Sequence, residues 1–152
     1  MGLDMYFRGS RYISNFDFTP VDKPINAEIK KALGLTNYDG EDNSVEVTVN
    51  LGYWRKANQI HKWFVDNVQG GTDDCRDAYI DRLQMGKLRD LCEKALETRD
   101  VTLFPPQSGF FFGPTDIDEY YWEDIAYTKN LMDKLLSDEQ LNKFEFFYHS
   151  SW

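Results

Sequence analysis

SVEVTVNLGYWRKANQIHKWFVDNV, residues 44–68, is the stretch that decides the fold class. Its first half alternates, with Val45, Val47, Val49 and Leu51 on one side and Ser44, Glu46, Thr48 and Asn50 on the other. Period two is the mark of a strand with one packed face and one wet face. Gly52 is expected to end that strand. From about residue 54 the period becomes helical: Ala57, Ile60, His61, Phe64, Val65 and Val68 form an apolar stripe with Trp54 at its start, and Arg55, Gln59, Lys62 and Asp66 lie opposite. Gly70 and Gly71 stop the helix. A strand running directly into a helix is one half of an α+β layout.

The rest of the chain repeats both patterns without a regular βαβ rhythm. Leu3, Met5 and Phe7 alternate with Asp4, Tyr6 and Arg8, predicting a half-buried strand from about residue 2. Residues 9–22 read as a loop or ragged hairpin. Pro24 at a first helical position, Ile25, Ile29 and Leu33 at helical spacing, and Gly34 as C-cap predict a helix. Residues 78–80 read as a short strand. Asp81 and Gln84 form a capping-box pattern ahead of Leu88, Leu91, Cys92 and Ala95, predicting a helix to about residue 97. Phe110, Phe111 and Phe112 read as a short buried strand. Thr115 is the expected N-cap of a longer helix carrying Ile117, Tyr121, Ile125, Met132 and Leu135. A final helical turn follows Ser137, and FEFFYHSSW closes the chain as a strand. The expected architecture is a single α+β domain over residues 1–152, an antiparallel or mixed sheet with helices packed mainly on one face.

Composition narrows the function. The chain has 152 residues, 41% hydrophobic and 16% aromatic, with 11 Phe, 9 Tyr and 4 Trp, enough to bury a ring-rich core without metals or disulfides. The formal net charge is -9, so direct nucleic-acid binding through phosphate neutralisation is not expected. An acidic surface suits solubility or a partner with a basic surface. Cys75 and Cys92 match no zinc or redox spacing, and Cys92 falls on an apolar helix face. There is no apolar run of membrane-spanning length and no signal-peptide pattern, so no membrane association is expected. The opening resembles a myristoylation site but lacks the Ser or Thr that such a site carries. A cytoplasmic location is expected.

Candidate site residues cluster at the strand-to-helix junction. Tyr53, Trp54, Arg55, Lys56 and Asn58 put rings and cations beside a helix N-terminus, where an anion gains from outward-pointing amides and the macrodipole. His61 falls inside the apolar stripe, so each ring nitrogen needs a partner. Its pairing with Asp116, Asp118 or Glu119 would make a small catalytic pair; its burial on backbone or carboxylate partners would make it a core residue. Asp118 and Tyr121, in the acidic aromatic stretch 108–124, complete the candidate ligand-binding set. No zinc-protease motif, calcium loop or phosphate-loop glycine pattern is present, and no cofactor, metal or catalytic residue is assigned. Three acidic clusters, Asp39/Glu41/Asp42, Asp73/Asp74/Asp77 and Asp116/Asp118/Glu119/Glu123/Asp124, would resemble a phosphate array if folding joined them.

MGLDMY at the start, GYWRKANQIHKWFVDNVQ in the centre and GFFFG with DEYYWED later together resemble a widespread family of small uncharacterised proteins of bacteriophages and prophages. The resemblance spares residues 9–44 and the tail. It implies no activity and no catalytic residue, only a setting: an accessory protein in the cytoplasm of a bacterial host. The expected function is therefore binding and inhibiting a host factor, one of anti-phage defence among them. The alternatives are a binding protein for a small anionic, nucleotide-type ligand, and a small enzyme using His61 with a carboxylate.

Overall fold

The computed structural model describes residues 2–152; Met1 of the opening motif lies outside them. The elements run β1 (Asp4–Ile13), α1 (Asp22–Leu33), β2 (Val45–Arg55), α2 (Asn58–Asn67), β3 (Ala78–Ile80), α3 (Arg82–Thr98), α4 (Glu119–Ser137) and β4 (Glu145–Ser151), with 3-10 turns at Val101–Leu103 and Glu139–Leu141. The strands form one antiparallel sheet in the order β2-β1-β4-β3. Residues of β3 and β4 pair as Ala78 with Tyr148, Tyr79 with Phe147 and Ile80 with Phe146. The class is α+β, as the two periodicities require.

Two compact units are distinguished by their contacts: Ser10–Val49, and the described residues up to Gly9 together with Asn50–Trp152. In the larger unit the core follows from alternation. Leu3 just before β1, Met5 and Phe7 of β1, Trp54 of β2, Ile80 of β3, and Phe146 and Tyr148 of β4 face inward. They meet Ile60 and Phe64 of α2, Met85, Leu88 and Cys92 of α3, and Ile125, Leu131 and Met132 of α4. Phe64 is the hub: its ring stacks on Tyr148 at 3.9 Å and meets Trp54 and Phe7 at 5.8 and 6.3 Å. Each such fully buried apolar side chain contributes roughly 1.5–3 kcal/mol by leaving water. In the smaller unit, Asn26 and Lys30 of α1 are buried, and Asn15 holds the 39–40 backbone through its side-chain amide.

Several boundaries depart from the sequence expectation. Gly52 does not end β2, which continues to Arg55. An added Cβ at Gly52 would sit 2.3 Å from Cδ2 of Leu131, so this glycine lets α4 lie against the strand. Trp54 and Arg55 are therefore strand residues, and α2 starts at Asn58. The reversal falls on Lys56, at φ 58, whose N–H donates to the Leu3 carbonyl at 2.8 Å. β1 likewise runs on to Ile13, past the expected loop start at residue 9. Residues 110–112 form a turn, not a strand: Phe112 is buried while Phe110 is 94% exposed. The N-cap of α4 is Asp118, not Thr115; its carboxylate accepts from the Tyr121 N–H at 3.0 Å. The capping box of Asp81 and Gln84 forms as read.

Candidate functional site

Where β2 turns into α2, the loop 105–118 closes over the junction and leaves a cleft of about 250 Å³. Arg55, Lys56, Asn58 and Gln59 form one side, and Pro106, Pro114, Asp116, Asp118, Tyr120, Tyr121 and Asp124 the rest. Five of the eight candidate residues converge here: Arg55, Lys56, Asn58, Asp118 and Tyr121.

Their roles differ. Asn58 is a clip: its side-chain amide donates to the carbonyls of Phe112 and Pro114 at 3.1 and 2.9 Å, and its Oδ1 accepts from the Gln107 N–H at 2.9 Å. Asp118 caps α4. Tyr121 donates its hydroxyl to the Phe104 carbonyl at 2.7 Å, and burial pushes its pKa up to about 12. Arg55 and Lys56 are different. Among the described residues, neither makes an ion pair or a side-chain hydrogen bond. The stem of Lys56 lies against Gly113, where an added Cβ would be 3.0 Å from Lys56 Cβ; with φ 84, Gly113 both makes the turn and leaves room for that stem.

Three candidates stand outside the cleft. Tyr53 is on the opposite face of the sheet, its hydroxyl donating to Asp4 and its ring 5.4 Å from that of Tyr6. Trp54 is buried, and its indole N–H donates to the Thr128 hydroxyl at 2.8 Å. His61 is 1% exposed, with Nδ1 2.6 Å from the Tyr148 hydroxyl and Nε2 2.9 Å from Asp73 Oδ2. An ionised carboxylate can only accept, so Nε2 carries a proton, and in the neutral ring Tyr148 donates to Nδ1. Burial raises the Tyr148 pKa well above its ordinary value, which keeps that donor in place. The indole of Trp152 donates to the other Asp73 oxygen at 3.1 Å. His61 is thus a core residue, and its acid is Asp73, not Asp116, Asp118 or Glu119.

Gln59, Tyr120 and Asp124 also belong to the cleft; Tyr120 and Asp124 come from the acidic aromatic stretch 108–124, while nothing in the sequence marked Gln59. Asp124 accepts from the Gln59 amide at 3.4 Å. Burial, offset in part by that hydrogen bond and aided by the like charges of Glu123 and Asp118, pushes its pKa up to about 6. An acid raised in the folded state stabilises the fold fully below its unfolded value, and that contribution is lost as pH rises through about 6. Asp124→Asn is therefore expected to gain about 1–2 kcal/mol at pH 7, after allowing for solvent screening in an open cleft, and nothing below about pH 4. Urea unfolding of both proteins at the two pH values measures this; an equal gain at both would exclude the ionisation.

The acids of the Asp73/Asp74/Asp77 cluster are spoken for. Asp73 holds His61, Asp74 contacts Arg76 at 3.5 Å, and Asp77 contacts Arg8 and His149 at 3.6 and 2.9 Å. Among the described residues no group of His, Cys, Asp and Glu is placed to hold a metal ion, and no helix is long and apolar enough to cross a membrane. No protein-family model matches the chain, and no curated protein or solved structure matches it significantly.

Proposed function

We propose that the protein binds a small anionic ligand of nucleotide type in the cleft beside Lys56. The observation that carries this reading is the pair of adjacent cations, Arg55 and Lys56, without ion-pair partners on the wall of a cavity, in a chain of net charge -9. A charge-assisted hydrogen bond from such a cation contributes roughly 1.5–3 kcal/mol. Tyr120, 74% exposed, supplies a ring face for a base. Gln59 and Asp124 supply acceptors deeper in the cleft. The burial of His61 away from this cleft argues against the enzymatic alternative.

The resemblance to phage accessory proteins suggests the setting. Capturing a nucleotide-type ligand in an infected cell would interfere with whatever host factor depends on it, a defence component included. Thermal denaturation with a panel of nucleotides tests the reading. A ligand at 100 times its Kd stabilises by about 2.7 kcal/mol, which for a chain of this size is a Tm rise of about 5–10 °C. Arg55→Ala and Lys56→Ala are each expected to weaken binding at least about tenfold. No rise with any member, or an equal rise in both variants, would remove the proposal.

A further inference from the structure

α1 is seated against its own composition. The side chains it buries are polar: Asn26, whose amide donates to the carbonyls of Ile13 and Asn43 at 3.1 and 3.3 Å, and Lys30, whose ammonium donates to the same Asn43 carbonyl. None of its apolar side chains is buried: Ile25 and Ile29 are half-buried and the others are exposed. Val21, just before the helix, is 58% exposed and Leu33 66% exposed, and Pro24, Ile25, Ile29 and Ala32 line a shallow apolar groove around Glu28. Phe18, 78% exposed, extends the apolar surface of the same segment. An amphipathic helix that turns its apolar stripe to water is built to have that stripe covered.

The charges on α1 say by what. From Asp17 to Leu35 the acids Asp17, Asp22 and Glu28 are matched by Lys23, Lys30 and Lys31, so this stretch is neutral in a strongly acidic chain. Lys23 is paired with Asp17. Glu28 and Lys31, one turn apart beside the stripe, make no ion pair among the described residues. A partner surface of a single charge sign would satisfy only one of them. A two-fold axis across the helix satisfies both, because it sets Glu28 of each protomer opposite Lys31 of the other while the two apolar stripes meet. We infer that two copies of this chain pair through α1, helix against antiparallel helix.

Sedimentation equilibrium on the full chain, from micromolar to about 1 mM, tests this. The wild type is expected to dimerise. Glu28→Lys and Lys31→Glu should each weaken the dimer about tenfold by placing like charges face to face at two symmetric points. The double exchange Glu28→Lys/Lys31→Glu should return the affinity to near that of the wild type. Ile25→Glu, with its fold checked by circular dichroism, should be monomeric. A wild type monomeric at every concentration, a dimer indifferent to all these changes, or a double exchange no tighter than the single ones would overturn the inference.

Discussion

Replacing His61 with alanine is expected to cost about 4 kcal/mol of stability. Two effects add. The imidazole fills space between Phe112, 5.1 Å away edge-on, and Tyr148, so its removal opens a cavity in the core. It also strands the Tyr148 hydroxyl and one oxygen of Asp73, the first of them deep in the core. At about 2–4 °C per kcal/mol the melting temperature should fall by on the order of 10 °C. Tyr148→Phe, which deletes only the hydroxyl, should cost about 1–2 kcal/mol and leave the stack on Phe64 intact. Calorimetry on both variants separates packing from hydrogen bonding. If His61→Ala melted like the wild type, its structural role would be disproved and the histidine would again need a functional explanation.

Asn58→Ala is expected to lose about 3 kcal/mol, roughly one for each of its three hydrogen bonds. The loss is local in its consequence. Those bonds tie residues 107–114 to the first turn of α2, and Pro114 and Pro106 are walls of the cleft. Amide exchange should accelerate across residues 107–114 well before it does in the core strands. Ligand-induced stabilisation should vanish in the same variant although no cation has been touched. Exchange unchanged in this loop would mean that burial of Phe112 and the Leu3 N–H on the Phe111 carbonyl hold it down without Asn58.

Much of the architecture was legible before any coordinates. The alternation of Leu3, Met5 and Phe7, the strand beginning at Val45, the capping box at Asp81 and the closing strand all depend on contacts between near neighbours. The errors share one cause. Gly52 looks like a terminator in sequence, but the strand continues because Leu131 of α4 occupies the place of the missing side chain. Phe110–Phe112 looks like a strand, but it forms a turn, with the Phe112 N–H donating back to the Gly109 carbonyl, and the loop is held by the Leu3 N–H on the Phe111 carbonyl and by Asn58. Ile25 and Leu33 look like core positions, yet Asn26 and Lys30 hold the inward places because the carbonyls of Ile13 and Asn43 require donors.

The candidate site was half visible. Arg55, Lys56 and Asn58 stood out because cations beside a strand-to-helix junction are a local pattern. Nothing local marked Gln59, and His61 gave no sign that Asp73 and Tyr148 would be its partners. Periodicity and capping are properties of segments a few residues long, so the chain alone determined which stretches are strands and which are helices. Only the tertiary structure decided which faces are covered and which side chains converge, since those depend on free volume and hydrogen-bond partners supplied by residues tens of positions away.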